Sequence, residues 1–313
     1  MKLGKVSLLF LLVALLVISC KKDDVADNPI VIELRDRAEQ QVEDKVALLS
    51  YLENYYYNSE ELASITNPSI SDIIITGLAD GVTVAPDGYT KLSDPGVVQT
   101  KSVVYADTDY VYYLLKLNQG GGDSPTFADN IQILYEGFTI DNAVFDSKFY
   151  PDNNLLDLSN LIAGWQKVIP DFNTAESYVE NGDGTVNYIN KGLGVMFLPS
   201  GLGYFPISAN SSNQSLWYSP LIFKFELLQY FENDHDNDGI PSYLEDLDGD
   251  GVLVDENTDG DFNPNTGFPL YNYLDNDDDG DGILTINEDT DKDGDPTNDI
   301  GSNGIARYLD PTE

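Results

Sequence analysis

The chain has 313 residues, 42% of them hydrophobic, and a formal net charge of −38. That length suits one main domain with flanking segments. The charge excludes nucleic acid as a partner, because phosphates are engaged by Lys and Arg that displace their counterions.

Residues 1–19 read as an export signal: Lys2 and Lys5 precede an apolar run from Val6 to Ile18, too short to span a bilayer with proper flanks. The one cysteine follows directly, and Val17-Ile18-Ser19-Cys20 resembles the bacterial lipobox. The resemblance implies cleavage before Cys20, lipidation of Cys20, and a protein tethered to the cell envelope by acyl chains at the outer membrane. With Cys20 acylated no thiol is left for a disulfide, so ion binding is the remaining staple for an exported domain. Residues 20–31 are polar and breaker-rich and read as a flexible leash.

Residues 32–97 form an N-terminal segment. From Ile32 to about Asn58, Ala38, Val42, Val46, Leu49, Leu52 and Tyr56 recur at helical spacing among charges. They predict an amphipathic helix that packs this stripe on its own domain, with dimerisation or grip on a client as the other use. Tyr55-Tyr56-Tyr57 would complete a core at the helix end. Beyond it, turn formers surround one β-like run, Asp72 to Thr76.

Residues 98–231 read as the main domain. Val98–Tyr105 and Tyr110–Leu117 flank Ala106-Asp107-Thr108 as a hairpin, and a Gly-rich turn at Gly120-Gly121-Gly122 leads to the strand Ile131–Tyr135. Asp141-Asn142 fits a turn, Gly164 through Phe172 a short helix, and Glu180–Gly184 a hairpin tip. Strands at Gly194–Leu198 and Leu221–Tyr230 complete an antiparallel sheet on one helix, an α+β fold class.

Within this region Tyr135-Glu136-Gly137, Phe145-Asp146-Ser147, Ile162-Ala163-Gly164-Trp165, Leu198-Pro199-Ser200 and Leu221 to Leu227 occur in order. The set resembles the core of an FKBP-type peptidyl-prolyl cis-trans isomerase. The resemblance implies a pocket lined by Tyr135, Phe145, Asp146, Leu161, Ile162, Trp165, Tyr204 and Phe223, with Trp165 as the floor under a proline ring. Ile162 would offer its N–H to a peptide carbonyl, Tyr204 its hydroxyl, and Asp146 a hydrogen bond near the twisted carbonyl. No cofactor is implied for catalysis, and the partners would be proline-containing polypeptides. The chain departs from the family pattern in four places: no Arg follows Phe145-Asp146-Ser147, the span from Trp165 to Pro199 is long, Ser208–Tyr218 replaces an Ile-Pro loop, and Phe205 follows Tyr204.

Residues 232–313 carry −23 of the −38 charges, and the acids are periodic. Asp234, Asp236 and Asp238 precede Gly239 and end at Glu245; Asp246, Asp248 and Asp250 precede Gly251. Asp277, Asp279 and Asp281 precede Gly282 and end at Glu288; Asp289, Asp291 and Asp293 precede Gly294. Carboxylates at positions 1, 3 and 5, Gly at 6 and an acid at 12 suit calcium, a hard cation that takes about six to eight oxygens. Without flanking helices the array resembles thrombospondin type 3-like repeats, implying a structural calcium-binding tail, with a disordered acidic linker as the alternative. Ile240, Leu244, Ile283, Ile286 and Tyr308 would form its small core, while His235 would be solvated.

The sequence thus predicts a lipid-anchored prolyl isomerase that helps exported proteins fold. The alternatives are a non-catalytic FKBP-fold chaperone and a calcium-dependent peptide-binding or adhesion lipoprotein.

Overall fold

The computed structural model describes residues 34–152, 154–208 and 212–312. The expected signal 1–19, the lipidation site Cys20 and the leash 20–31 lie outside the described residues. Among the described residues no helix is long and apolar enough to cross a membrane. The architecture is α+β, with few helices beside antiparallel sheets.

Helix α1 (Arg37–Asn54) begins where the Asp36 carboxylate accepts from the Glu39 amide at 2.9 Å, supplying a partner that a first-turn amide lacks within the helix. The helix runs into β1 (Tyr55–Tyr57), and α2 (Ser59–Ser64) follows. Strand β1 pairs antiparallel with β2 (Ile75–Gly77) and with β3 (Thr90–Lys91), so the three tyrosines form a strand instead of ending a helix. The β-like run is also shifted, since Ile70–Asp72 is a 3-10 turn.

The buried face of α1 is not the expected stripe. Val42 is 65% and Val46 64% exposed, Ala38 and Leu49 are exposed too, and the helix buries Gln40, Gln41, Asp44, Leu48, Tyr51 and Leu52. Hydrogen bonding explains the rotation. Asp44 accepts from the Ser200 amide at 2.7 Å, from the Ser200 hydroxyl at 2.6 Å and from Gln40 Nε2 at 2.8 Å. Three donors make a buried carboxylate tolerable and turn a polar row inward.

The main sheet contains β4 (Gln99–Tyr105), β5 (Thr108–Asn118), β6 (Asn130–Thr139), β7 (Val144–Lys148), β8 (Leu156–Asp157), β11 (Gly192–Leu198) and β12 (Leu221–Phe231). Its order is β4-β5-β11-β12-β6-β7, with β8 paired to β6. Ala106 and Asp107 have φ of 46° and 56°, which makes the β4–β5 link a tight two-residue turn whose twist matches its strands. Helix α3 (Ala163–Val168) lies between β8 and a separate hairpin of β9 (Ser177–Glu180) and β10 (Val186–Ile189), the expected tip at 180–184.

Both faces of the sheet are covered. Tyr112, Leu114, Met196, Leu198, Phe223 and Phe225 join a core with Trp165, Val168 and Phe172, whereas Tyr113, Leu115, Val195, Phe197 and Ile222 join a second core with Leu48, Tyr51, Leu52 and Ile73. Every residue of β11 is buried, as a central strand between two layers requires. The N-terminal segment is therefore a second layer of the fold, and it leaves the α3 face to the candidate site.

Candidate functional site

Helix α3 is capped by Ile162, which is extended (φ −59°, ψ 145°), so the Ile162 amide stands ahead of the first helical turn. Three residues on, Trp165 is 5% exposed and meets Tyr135 at 5.6 Å, Phe223 at 5.0 Å and Phe225 at 5.9 Å between ring centroids, all edge to face. Phe145 in turn meets Phe223 at 5.5 Å and Tyr204 at 6.2 Å. Edge-to-face contacts fix ring orientation beyond what area burial gives. Leu161 and Ile162 are half-buried against the same cluster. Five of the eight sequence-selected residues thus form one aromatic cluster, Leu161 and Ile162 pack at its rim, and Asp146 accepts a hydrogen bond from it.

Gly137 explains how these rings come so near. A Cβ there would stand 2.6 Å from Phe223 Cε1 and 2.9 Å from Phe145 Cζ, so only glycine lets both rings cross the β6 backbone. Asp146 is exposed; its Oδ2 accepts from the Tyr135 hydroxyl at 2.8 Å and its Oδ1 from the Ser147 amide at 2.8 Å. Lys148, which follows this triplet, pairs with Asp152 at 2.7 Å. Burial, then the bond to Asp146, raises the Tyr135 pKa well above the phenol range; burial, then the Asp146 charge, raises that of Tyr204. Both stay protonated donors at neutral pH.

Phe205 and Trp217 point to other partners. Arg37 lies over the Phe205 ring at 4.4 Å, Tyr218 meets that ring at 5.2 Å, and Trp217 Nε1 donates to the Ser212 carbonyl at 2.9 Å. Sequence reasoning missed Val103 and Tyr105, which pack against the pocket's core. It also passed over Phe225, which the two-residue period from Phe223 could have revealed.

In the tail, the triplets Asp234/Asp236/Asp238, Asp246/Asp248/Asp250, Asp277/Asp279/Asp281 and Asp289/Asp291/Asp293 each bring carboxylate oxygens within 4.8 Å of one another. Each loop closes alike. The amide of Gly239, Gly251, Gly282 and Gly294 donates to the first aspartate at 3.1, 2.8, 3.1 and 2.8 Å, and all four glycines have φ between 76° and 100°.

The expected apolar core of the tail is corrected: Leu244, Ile283 and Ile286 are exposed, and of the five only Ile240 and Tyr308 are buried. Carboxylates occupy the interior instead, including Asp238, Glu245, Asp275, Asp278, Asp279 and Glu288. Both oxygens of Glu245 and of Asp278, one each of Asp236, Asp238, Asp277, Asp279 and Glu288, are buried without a hydrogen-bond partner. Burial first, then neighbouring carboxylates, pushes Glu245 up to about 10, Asp278 to about 9, Asp236 to about 8 and Glu288 to about 7. Burying unpaired carboxylates is costly unless a cation or proton meets them, and an all-oxygen donor set of this kind fits calcium.

The tail also touches the segment bearing Leu161 and Trp165. Lys167 Nζ donates to the carbonyls of Asp250 and Gly251, each at 3.1 Å. His235, expected to be solvated, is instead a half-buried link: it lies 3.0 Å from Asp157, 3.2 Å from Ser159 and 2.8 Å from Ser242, with its ring edge-on to Tyr273. Burial raises the Asp157 pKa, but the hydrogen bonds from His235 and Ser159 outweigh it and hold the group below 3.8. A cavity of about 170 Å³ between Leu161, Gln166 and Tyr105 and the stretch 251–254 completes this contact.

No family model matches the chain, and no curated protein matches it. Among solved structures it is similar to a peptidyl-prolyl cis-trans isomerase from Pseudomonas syringae pv. tomato (19% identity, 44% of this chain and 83% of that one, TM-score 0.32). It is also similar to FkpA from Escherichia coli (20% identity, 45% and 54%, TM-score 0.32). A third likeness is to the three FKBP domains of wheat FKBP73 (13% identity, 44% and 52%, TM-score 0.31). The chain spans about half the length of these last two.

Proposed function

We propose that the protein is an FKBP-like peptidyl-prolyl cis-trans isomerase, held at the cell envelope through lipid on Cys20, that acts on proline-containing segments of exported polypeptides and carries a calcium-stabilised tail. The observation that carries this reading is the wall formed by Tyr135, Phe145, Trp165, Tyr204 and Phe223 over a buried indole, with Asp146 at its edge.

Rotation about an X-Pro bond faces a barrier of about 18–20 kcal/mol because amide resonance must be broken. No nucleophile or proton transfer is needed. An apolar wall strips water from the amide, and a pocket that fits the twisted amide better than the planar one lowers the barrier by differential binding. Trp165 seats the proline ring, Phe145 and Phe223 flank it, and the Ile162 amide and Tyr204 hydroxyl are the donors available to the peptide's carbonyls. Asp146, oriented by Tyr135, faces the carbonyl that loses conjugation. Calcium, when bound to the tail, supplies the positive charge that the buried carboxylates lack, and Asp234, Asp236, Asp238, Glu245 and their counterparts in the other loops would hold it.

A prolyl-isomerisation assay on a proline-containing peptide tests the reading. Catalysis lowered on the order of tenfold by Asp146→Ala and abolished by Trp165→Ala supports it; a folded protein that binds the peptide without catalysis supports a chaperone with the same pocket. Cys20→Ser, read by membrane fractionation and mass of the N-terminal residue, tests the lipid anchor.

A further inference from the structure

Asp278 lies outside the 1-3-5 pattern, at the second position of the third loop, and the repeat reading gives it no task. The structure places it with residues some forty positions away: oxygens of Asp238, Glu245 and Asp278 all lie within 4.8 Å of one another, and all three side chains are buried. Glu245 is 0% and Asp278 1% exposed, and neither oxygen of either group has a hydrogen-bond partner.

The surroundings explain how Asp278 reaches the first loop. Its amide donates to Thr285 Oγ1 at 3.3 Å, which pins the backbone of the third loop. A Cβ added to Gly239, in the first loop, would stand 3.6 Å from Ile286 in the third loop and 3.8 Å from Pro296 beyond the fourth aspartate triplet. The Tyr308 phenol is buried in the field of Asp278, Glu245 and Asp238. Repeat one and repeat three are therefore apposed through three buried acidic groups.

We infer that Asp238 and Glu245 of the first loop and Asp278 of the third hold one calcium ion in common, a site shared between repeats that staples the first loop to the third. The inference rests on the calcium reading of the tail. Ligand oxygens about 2.3–2.6 Å from one ion stand within about 5 Å of each other, which is the spacing found here. Without the ion, three carboxylates are buried at close range with no countercharge; with it, an acid from another repeat fills a coordination position that a lone loop leaves to water. The staple makes the array cooperative, because the first loop cannot be fully loaded while the third is displaced.

The test uses the full chain in detergent, titrated calorimetrically with calcium chloride after chelation, for the wild type, Asp278→Asn, Glu245→Gln and Asp291→Asn. Asp278→Asn is expected to lose one calcium or weaken it at least about tenfold, the least a metal's supporting groups usually contribute, and to remove calcium-dependent hydrogen-exchange protection from residues 234–245, a loop in which it makes no change of sequence. In chelator the same variant is expected to melt no lower than the wild type, since it removes an acid whose burial costs free energy when no ion meets it, and in calcium to melt lower. This reversal of sign separates a ligand from a residue that only packs. Asp291→Asn, in the fourth loop, is expected to leave protection of 234–245 unchanged, and Glu245→Gln to repeat the Asp278 result. Unchanged stoichiometry, affinity and protection in Asp278→Asn, with calcium still bound, overturn the shared site alone. A wild type that takes up no calcium overturns the tail's calcium reading with it.

Discussion

Gly137 sets the spacing of the pocket. The rings of Phe223 and Phe145 pass its Cα so closely that a methyl group would stand 2.6 and 2.9 Å from them. Gly137→Ala is therefore expected to cost about 1–3 kcal/mol, the usual penalty for overpacking, and to lower catalysis more than stability explains, because the displaced rings are the wall itself. Urea unfolding read beside kcat/KM checks both. Asp146 is the converse case. It is exposed and bonded only to Tyr135 and its neighbour's amide, so Asp146→Ala is expected to change stability by within about 0.5 kcal/mol. Its loss from the pocket's edge is expected to lower kcat/KM on the order of tenfold, the worth of one hydrogen bond of roughly 1.4 kcal/mol in the transition state.

At the scale of elements, the strands of the main sheet were readable in the chain because their apolar runs end in unambiguous turns, such as Ala106-Asp107 and Asp141-Asn142. Helix α1 was readable as a helix, but its orientation was not. Counting apolar residues selects Val42 and Val46, whereas the inward side is decided by the bonds from Asp44 to Ser200 and Gln40, partners 156 and 4 positions away. The same blindness to distant partners hid the burial of Asp278 and the half-buried contacts of His235. The three tyrosines of β1 misled for another reason: their strand exists through pairing with Ile75–Gly77 and Thr90–Lys91, which local spacing does not contain. Asp44→Ala is expected to destabilise the protein by about 1–3 kcal/mol by leaving the Ser200 and Gln40 donors unpaired, whereas Val46→Lys on the exposed side should fall within about 0.5 kcal/mol. Thermal melts of the pair decide which face of α1 is the inner one.

At the scale of the molecule, the tail and the main-sheet region meet at the two ends of one stretch, His235 on Asp157 before Leu161, and Lys167 under Asp250 and Gly251 after Trp165. Because the folded pKa of Asp157 lies below its ordinary 3.8, the stability that its ionised form gains from its hydrogen bonds is in force above that value and fades as pH falls through the depressed one. The stability difference between wild type and Asp157→Asn, read from urea midpoints, is thus expected to shrink as pH falls below 3.8. On the proposed calcium reading, loading the loop at Asp246, Asp248 and Asp250 would fix the carbonyls to which Lys167 donates, and through α3 the position of Trp165. The most direct test of the whole account is the rate of cis-to-trans conversion of a proline peptide by the purified protein, in calcium and in chelator, beside Asp146→Ala and Trp165→Ala checked for folding by circular dichroism. The account predicts catalysis in calcium, a slower rate in chelator, a rate on the order of tenfold lower in Asp146→Ala and a near-background rate in Trp165→Ala; a folded, calcium-loaded wild type that leaves the peptide at its uncatalysed rate would contradict it.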